Sequence, residues 1–198
     1  MAFTMPYCKN SHNNNAVLLR LLLLFCFLLP ASNTLADGIY IRNANTSLTD
    51  NVYRLDAQID YRLSKELLDA LQNGVTLTLM VEVDIFRKQS YWLDSNLASL
   101  IQRYQLNYHA LSQKFQLTNL NSGRVTSHVD LEDAIHIMGN LSGIPILDQD
   151  ILQPNTTYYA RLRAGLDTAK LPTPLLLLSY FMPGWQLRSE WYTWPIQD

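Results

Sequence analysis

Hydrophobic and polar side chains alternate along much of this chain. In residues 53–63, Tyr53, Leu55, Ala57, Ile59, Tyr61 and Leu63 share one face, and Arg54, Asp56, Gln58, Asp60 and Arg62 share the other. A period of two belongs to extended backbone, so the pattern predicts a half-buried strand. Residues 75–86 repeat it, with Val75, Leu77, Leu79, Val81, Val83 and Ile85 as the apolar stripe and Thr76, Thr78, Met80, Glu82, Asp84 and Phe86 opposite. Residues 98–108, 114–120 and 125–129 are weaker strands, the last two joined by the turn Asn121-Ser122-Gly123. Residues 158–167 alternate again, with Arg161 and Arg163 on the polar face, and a last strand is expected through residues 185–194.

Helical spacing interrupts the alternation. Ser64 can cap "KELLDALQN", whose Leu67, Leu68 and Leu71 share a face and which Asn73-Gly74 can stop. Asp130 can cap "LEDAIHIM", where Leu131, Ala134, Ile135 and Met138 recur at helical intervals before Gly139. A third segment, "LPTPLLLLSYFMPGW", is bracketed by prolines. Thr173 can cap it and Pro174 suits its first turn, but it is too short to cross a bilayer. Seven or eight strands with two or three short helices make the expected class mostly β, or α+β: an antiparallel β-sandwich-like domain.

The first 36 of the 198 residues fall outside this pattern. Lys9 and Arg20 are basic, no acid precedes Asp37, and a short apolar run ends at Pro30. Thr34 and Ala36 then suit the −3 and −1 positions of an export cleavage site. A retained anchor would have to recruit residues 16–19 and place Arg20 inside the bilayer, at high cost. The expected organisation is therefore a signal peptide over residues 1–36, cleaved after Ala36, and one exported domain over residues 37–198. Losing Lys9 and Arg20 leaves 13 basic against 17 acidic residues, a net charge of −4. That balance lacks the basic footprint of nucleic-acid binding. Both cysteines, Cys8 and Cys26, lie in the leader. The exported domain can form no disulfide and offers no thiolate nucleophile or metal ligand.

The ordered segments "YRLDAQIDYRLSKELLDALQNGVTLTLMVEVDIFR", "LNYHALSQKFQL", "RLRAGLDTAKLPTPL" and "WQLRSEWYTWPI" resemble the proteobacterial domain-of-unknown-function family 4390. The resemblance spans residues 52–196. Tyr91, Trp92, Leu93 and Asp94 stand where such proteins often carry two or three aromatics and an acid. The resemblance implies a periplasmic protein of the Gram-negative envelope, with no assigned activity, catalytic residue or cofactor. Genes of similar proteins often neighbour that of a sensor histidine kinase, which is the partner this context suggests. A membrane role is expected only for the leader.

Candidate chemistry is sparse. Glu82 and Asp84 lie about 7 Å apart along one strand face, a separation that suits paired-acid glycoside hydrolysis. A solvated face with arginine partners, from Arg161 and Arg163 or from Arg54 and Arg62, is the simpler expectation. His109, His128 and His136 lack metal-ligand spacing, and His136 follows Glu132 by one helical turn. Asp148-Gln149-Asp150 does not continue into an oxygen-rich loop, and there is no phosphate-binding glycine loop and no G-x-S-x-G. Trp185, Trp191, Tyr192 and Trp194 cluster near the C-terminus. Core packing is the ordinary use of such residues, and Trp191, Tyr192 and Trp194 are the candidate binding surface. The expected function is a non-enzymatic binding or accessory protein of the envelope without cofactor. The alternatives are a small-molecule or glycan-binding module using the C-terminal aromatics, and an unrecognised hydrolase built on Glu82 and Asp84.

Overall fold

A computed structural model describes residues 37–89 and 94–196. The expected leader with Ala36, and Tyr91, Trp92 and Leu93, lie outside the described residues. Within them the chain forms nine strands and three α-helices: β1 (Gly38–Thr49), β2 (Val52–Arg62), α1 (Lys65–Gln72), β3 (Leu77–Arg87), β4 (Ser95–His109), β5 (Lys114–Asn119), β6 (Val125–His128), α2 (Leu131–Gly139), β7 (Asn140–Asp148), β8 (Tyr158–Leu166), α3 (Thr173–Phe181) and β9 (Tyr192–Pro195). All pairings between strands are antiparallel. One sheet has the order β1-β2-β7 and the other β6-β5-β4-β3-β8-β9.

The two sheets share one apolar core. Tyr53, Leu55, Ala57, Ile59 and Tyr61 of β2 join Leu77, Leu79, Val81, Val83 and Ile85 of β3 and Ala160, Leu162, Ala164 and Leu166 of β8 in a single buried cluster. The alternation in these three strands thus selects the inward face, as expected of a β-sandwich-like architecture. Helix α1 closes one end: Leu67 and Leu71 are fully buried, and the Ser64 hydroxyl accepts the Leu67 N–H at 3.3 Å. Helix α2 buries Ala134 and Met138 and lies so close to β2 that a Cβ on Gly139 would meet the Ile59 carbonyl oxygen at 2.2 Å. Asp130 precedes α2 but makes no side-chain capping bond.

Three differences from the sequence pattern have physical causes. β1 was not anticipated, because Arg42 and Asn43 break the alternation of Ile39 and Ile41 at a register shift. Asp50 and Asn51, both at positive φ, make the tight turn into β2. β7 was also missed, since Gly143 at positive φ and Pro145 disguise it, and a proline is tolerated because β7 ends its sheet. The last strand is shorter than expected. Pro183–Trp185 is a 3-10 turn, and β-structure near the C-terminus is confined to β9 and an isolated bridge between Arg188 and Gly165.

One defect lies in the core: the buried Tyr61 hydroxyl has no hydrogen-bond partner, and burial pushes its pKa far up. A lone buried hydroxyl carries a desolvation cost with no compensating bond. Tyr61→Phe should therefore leave stability unchanged or raise it by about 1 kcal/mol, measured by urea unfolding. A loss of more than that would reveal a bond this geometry lacks.

Candidate functional site

The outer faces of β3 and β8 carry a ladder of facing carboxylates and arginines. The register sets Glu82 directly opposite Arg163, Asp84 opposite Arg161 and Phe86 opposite Tyr159. Arg161 donates to Asp84 Oδ2 from Nε at 3.1 Å and from Nη2 at 2.9 Å. Arg163 Nε donates to Glu82 Oε2 at 2.9 Å, and its Nη2 shares that acceptor. The other oxygens are engaged too: Ser99 Oγ of β4 donates to Asp84 Oδ1 at 2.7 Å, and Arg188 Nη2 to Glu82 Oε1 at 3.3 Å. Every oxygen of the acidic pair therefore accepts a protein hydrogen bond. Arg54 and Arg62 are elsewhere: Arg54 donates to the Gly143 carbonyl, and Arg62 lies over the Tyr40 ring.

Aromatic rings extend this ladder. The guanidinium carbons of Arg161 and Arg163 each lie 4.1 Å from the centre of the Trp191 ring, and Arg161 also lies 4.4 Å from that of Phe86. Such contacts hold a cation over the negative face of a ring. Phe86 stacks on Tyr159 with centroids 5.3 Å apart. The Tyr159 hydroxyl donates to Asp94 Oδ2 at 2.7 Å, while the Gln89 backbone N–H donates to Oδ1 at 3.0 Å. These two bonds, with the backbone bond the stronger cause, hold the Asp94 carboxyl below the ordinary aspartate range. Burial and the bond to Asp94 push the Tyr159 hydroxyl upward.

The three proposed surface aromatics separate. Trp194 is turned inward, 8% exposed, with its Nε1 unpartnered, so it lies in the core and not on a surface. Trp191 and Tyr192 are half-buried, and Trp185 is buried under its 3-10 turn. Trp191 and Tyr192 line a cleft of about 370 Å³ between residues 37–41 and residues 188–192. β1 and β9, which border it, are each the last strand of their sheet. Arg188 and Tyr159 carry no signal in the sequence pattern, and Asp94 stands out there only as the acid after Tyr91, Trp92 and Leu93. Parity along the expected last strand sets Arg188 on the opposite face from Trp191, whereas both meet the same ladder, so no local period signals Arg188.

The histidines do not converge. His109 Nε2 meets Gln116 Oε1, His128 Nε2 meets Thr126 Oγ1, and His136 Nε2 meets the Asn140 amide, not Glu132. Among the described residues no group of three His, Cys, Asp or Glu side chains could hold a metal ion.

The family model described as "Domain of unknown function (DUF4390)" matches residues 36–195. The chain belongs to this family. No curated protein and no solved structure matches it. For this DUF4390 chain the match spans both sheets and the residues of the charged ladder and the cleft.

The Asp94 bonds give a pH prediction. A carboxyl with a depressed folded-state pKa adds stability that is present above its unfolded pKa and is lost as pH falls through the folded value. The Asp94 carboxyl carbon should therefore titrate by NMR below the ordinary aspartate range. Tyr159→Phe should raise the midpoint only part of the way, because the Gln89 bond persists. An unmoved midpoint would show that the hydroxyl does not reach Asp94 in solution.

Proposed function

We propose that this DUF4390 protein is an exported, non-catalytic binding protein of the cell envelope. Its cleft takes an extended segment of a partner protein. The observation that carries this reading is the placement of the cleft between two sheet-terminal strands, β1 and β9, with Trp191 and Tyr192 in its wall. A terminal strand presents main-chain donors and acceptors along its outer edge, and an added strand gains affinity from them while side-chain pockets select its sequence. Arg188 and Glu190 at the cleft supply charges of both signs for a polar segment.

A hydrolase reading has less support. Glu82 and Asp84 have their oxygens taken by Arg163, Arg188, Arg161 and Ser99, so neither offers an oxygen to a substrate without breaking the ladder. For glycan binding by stacking, Trp191 is half-buried and engages two guanidinium groups, which leaves less of its ring to a sugar. Export rests on the leader, and the sensor histidine kinase suggested by gene context is the first partner to test.

A photo-crosslinking residue at Tyr192 should form an adduct with one envelope protein, while the same group at Leu111, on a remote exposed turn, should not. Trp191→Ala should reduce the Tyr192 adduct several-fold by disturbing the cleft wall. Equal labelling at both positions, or none at Tyr192, contradicts the reading.

A further inference from the structure

The two sheets differ in width. Three strands, β1-β2-β7, face six, and β7 lies against β4. β5 and β6 therefore extend beyond the smaller sheet, and helix α2 covers part of this overhang. Under the rest of it lies a cavity of about 380 Å³, at the opposite end of the large sheet from the cleft beside β9. That volume suits a small molecule. Its floor is apolar. Leu117 and Leu141 are buried there, and Ile144 of β7 and Ile137 of α2 join them.

One row of side chains on the inner face is polar. The register sets Tyr104 of β4 opposite Asn119 of β5, and the Asn119 N–H donates to the Arg124 carbonyl at 2.8 Å. Tyr104, Asn119 and Arg124 thus run side by side across three chain segments, and all three line the cavity. Each brings a donor that meets no acceptor among the described residues. Tyr104 is 7% exposed, yet its hydroxyl has no hydrogen-bond partner there. Burial pushes its pKa up, so at neutral pH it stays protonated and donates. Asn119 Oδ1 accepts the N–H groups of Asn121 and Ser122 at 2.9 and 3.0 Å, which fixes the amide and leaves Nδ2 as its free donor. Arg124 meets no carboxylate, in contrast to Arg161, Arg163 and Arg188 on the outer face.

Buried donors ordinarily find acceptors. An oxyanion is the acceptor that suits several donors beside a guanidinium. Neighbouring strands lie about 4.8 Å apart, so two long side chains at either end of this row reach one carboxylate between them. No residue lining the cavity is acidic, whereas the cleft beside β9 has Asp37 and Glu190. Asp56, which accepts the Ser142 hydroxyl at 3.1 Å, and Asp133, one helical turn before Ile137, do not line it. The apolar floor next to the donors fits a hydrocarbon group, which an inorganic anion lacks.

We propose that this cavity binds a small amphipathic carboxylate. The head accepts hydrogen bonds from Tyr104, Asn119 and Arg124, and the hydrocarbon chain lies on Leu117, Leu141 and Ile144. The site is separate from the cleft between β1 and β9 and does not rest on the binding proposed there.

The test titrates the full chain with octanoate, octanol and acetate, by calorimetry and by methyl NMR. Octanoate should bind about tenfold more tightly than octanol, the worth of one charge-assisted hydrogen bond, and acetate far more weakly than either. Methyl signals of Leu117, Leu141 and Ile144 should move with octanoate, while those of Ile39 and Ile41 in the other cleft stay in place. Arg124→Gln, at an exposed position, should bring octanoate down to the affinity of octanol and leave octanol unchanged. Tyr104→Phe should weaken octanoate several-fold with folding checked by urea unfolding. Octanoate binding that Arg124→Gln leaves unchanged assigns the ligand to the apolar leader and overturns the proposal. Octanol bound as tightly as octanoate, shifts confined to methyl groups outside the cavity, or no octanoate binding at millimolar concentration also overturns it.

Discussion

The pairing of β3 with β8 is the constraint on which the rest of this domain depends. Two kinds of information set it. The apolar stripe from Leu77 to Ile85 fixes which face turns inward, and burying each such side chain contributes about 1.5–3 kcal/mol. A one-residue slip would turn that whole stripe to solvent. A two-residue slip would not, because the alternation survives it. The charges resist that slip. Moved by two, β8 would leave either Glu82 opposite Gly165 or Asp84 opposite Tyr159, and one arginine would lose its partner. Each half-buried pair contributes only about 0.2–1 kcal/mol. Hydrophobic burial thus supplies most of the stability, and the ladder supplies the register.

That register reaches beyond the two strands. With Arg161 and Arg163 held over Glu82 and Asp84, their guanidinium groups form a platform for Trp191. Trp191 in turn belongs to the wall of the cleft beside β1. The acidic pair acts on the candidate binding surface indirectly, as part of the frame that positions an aromatic side chain. At another edge of the fold, Ser64 caps α1 and also donates to the Gly184 carbonyl at 2.8 Å, tying the turn after α3 to the body of the domain.

Much of this was legible in the sequence wherever burial alone decides structure. β2, β3 and β8 alternate cleanly because each turns one face to the core, and Ser64 and Leu67 announce α1. β1 and β7 were not legible, because strands at the ends of a sheet tolerate Asn43, Gly143 and Pro145, which erase the pattern. The partnership of Glu82 and Asp84 with Arg161 and Arg163 could be anticipated as a possibility on parity, but choosing it over Arg54 and Arg62 required the strand order. The C-terminal aromatics were visible as a cluster. Their division into a buried Trp194 and a half-exposed Trp191 was not, since Pro183 and Gly184 replace the expected strand with a turn. The roles of Tyr159 and Asp94 depend on contacts across 65 residues of sequence, which no local period encodes.

The most direct test of this account is a double-mutant cycle between Asp84→Asn and Arg161→Gln, read by urea unfolding. A register held by facing charges predicts a coupling energy of about 0.5–1 kcal/mol, with the double variant losing less than the sum of the single ones. Additivity within about 0.3 kcal/mol would show that the ladder is incidental and that packing alone sets the β3–β8 alignment.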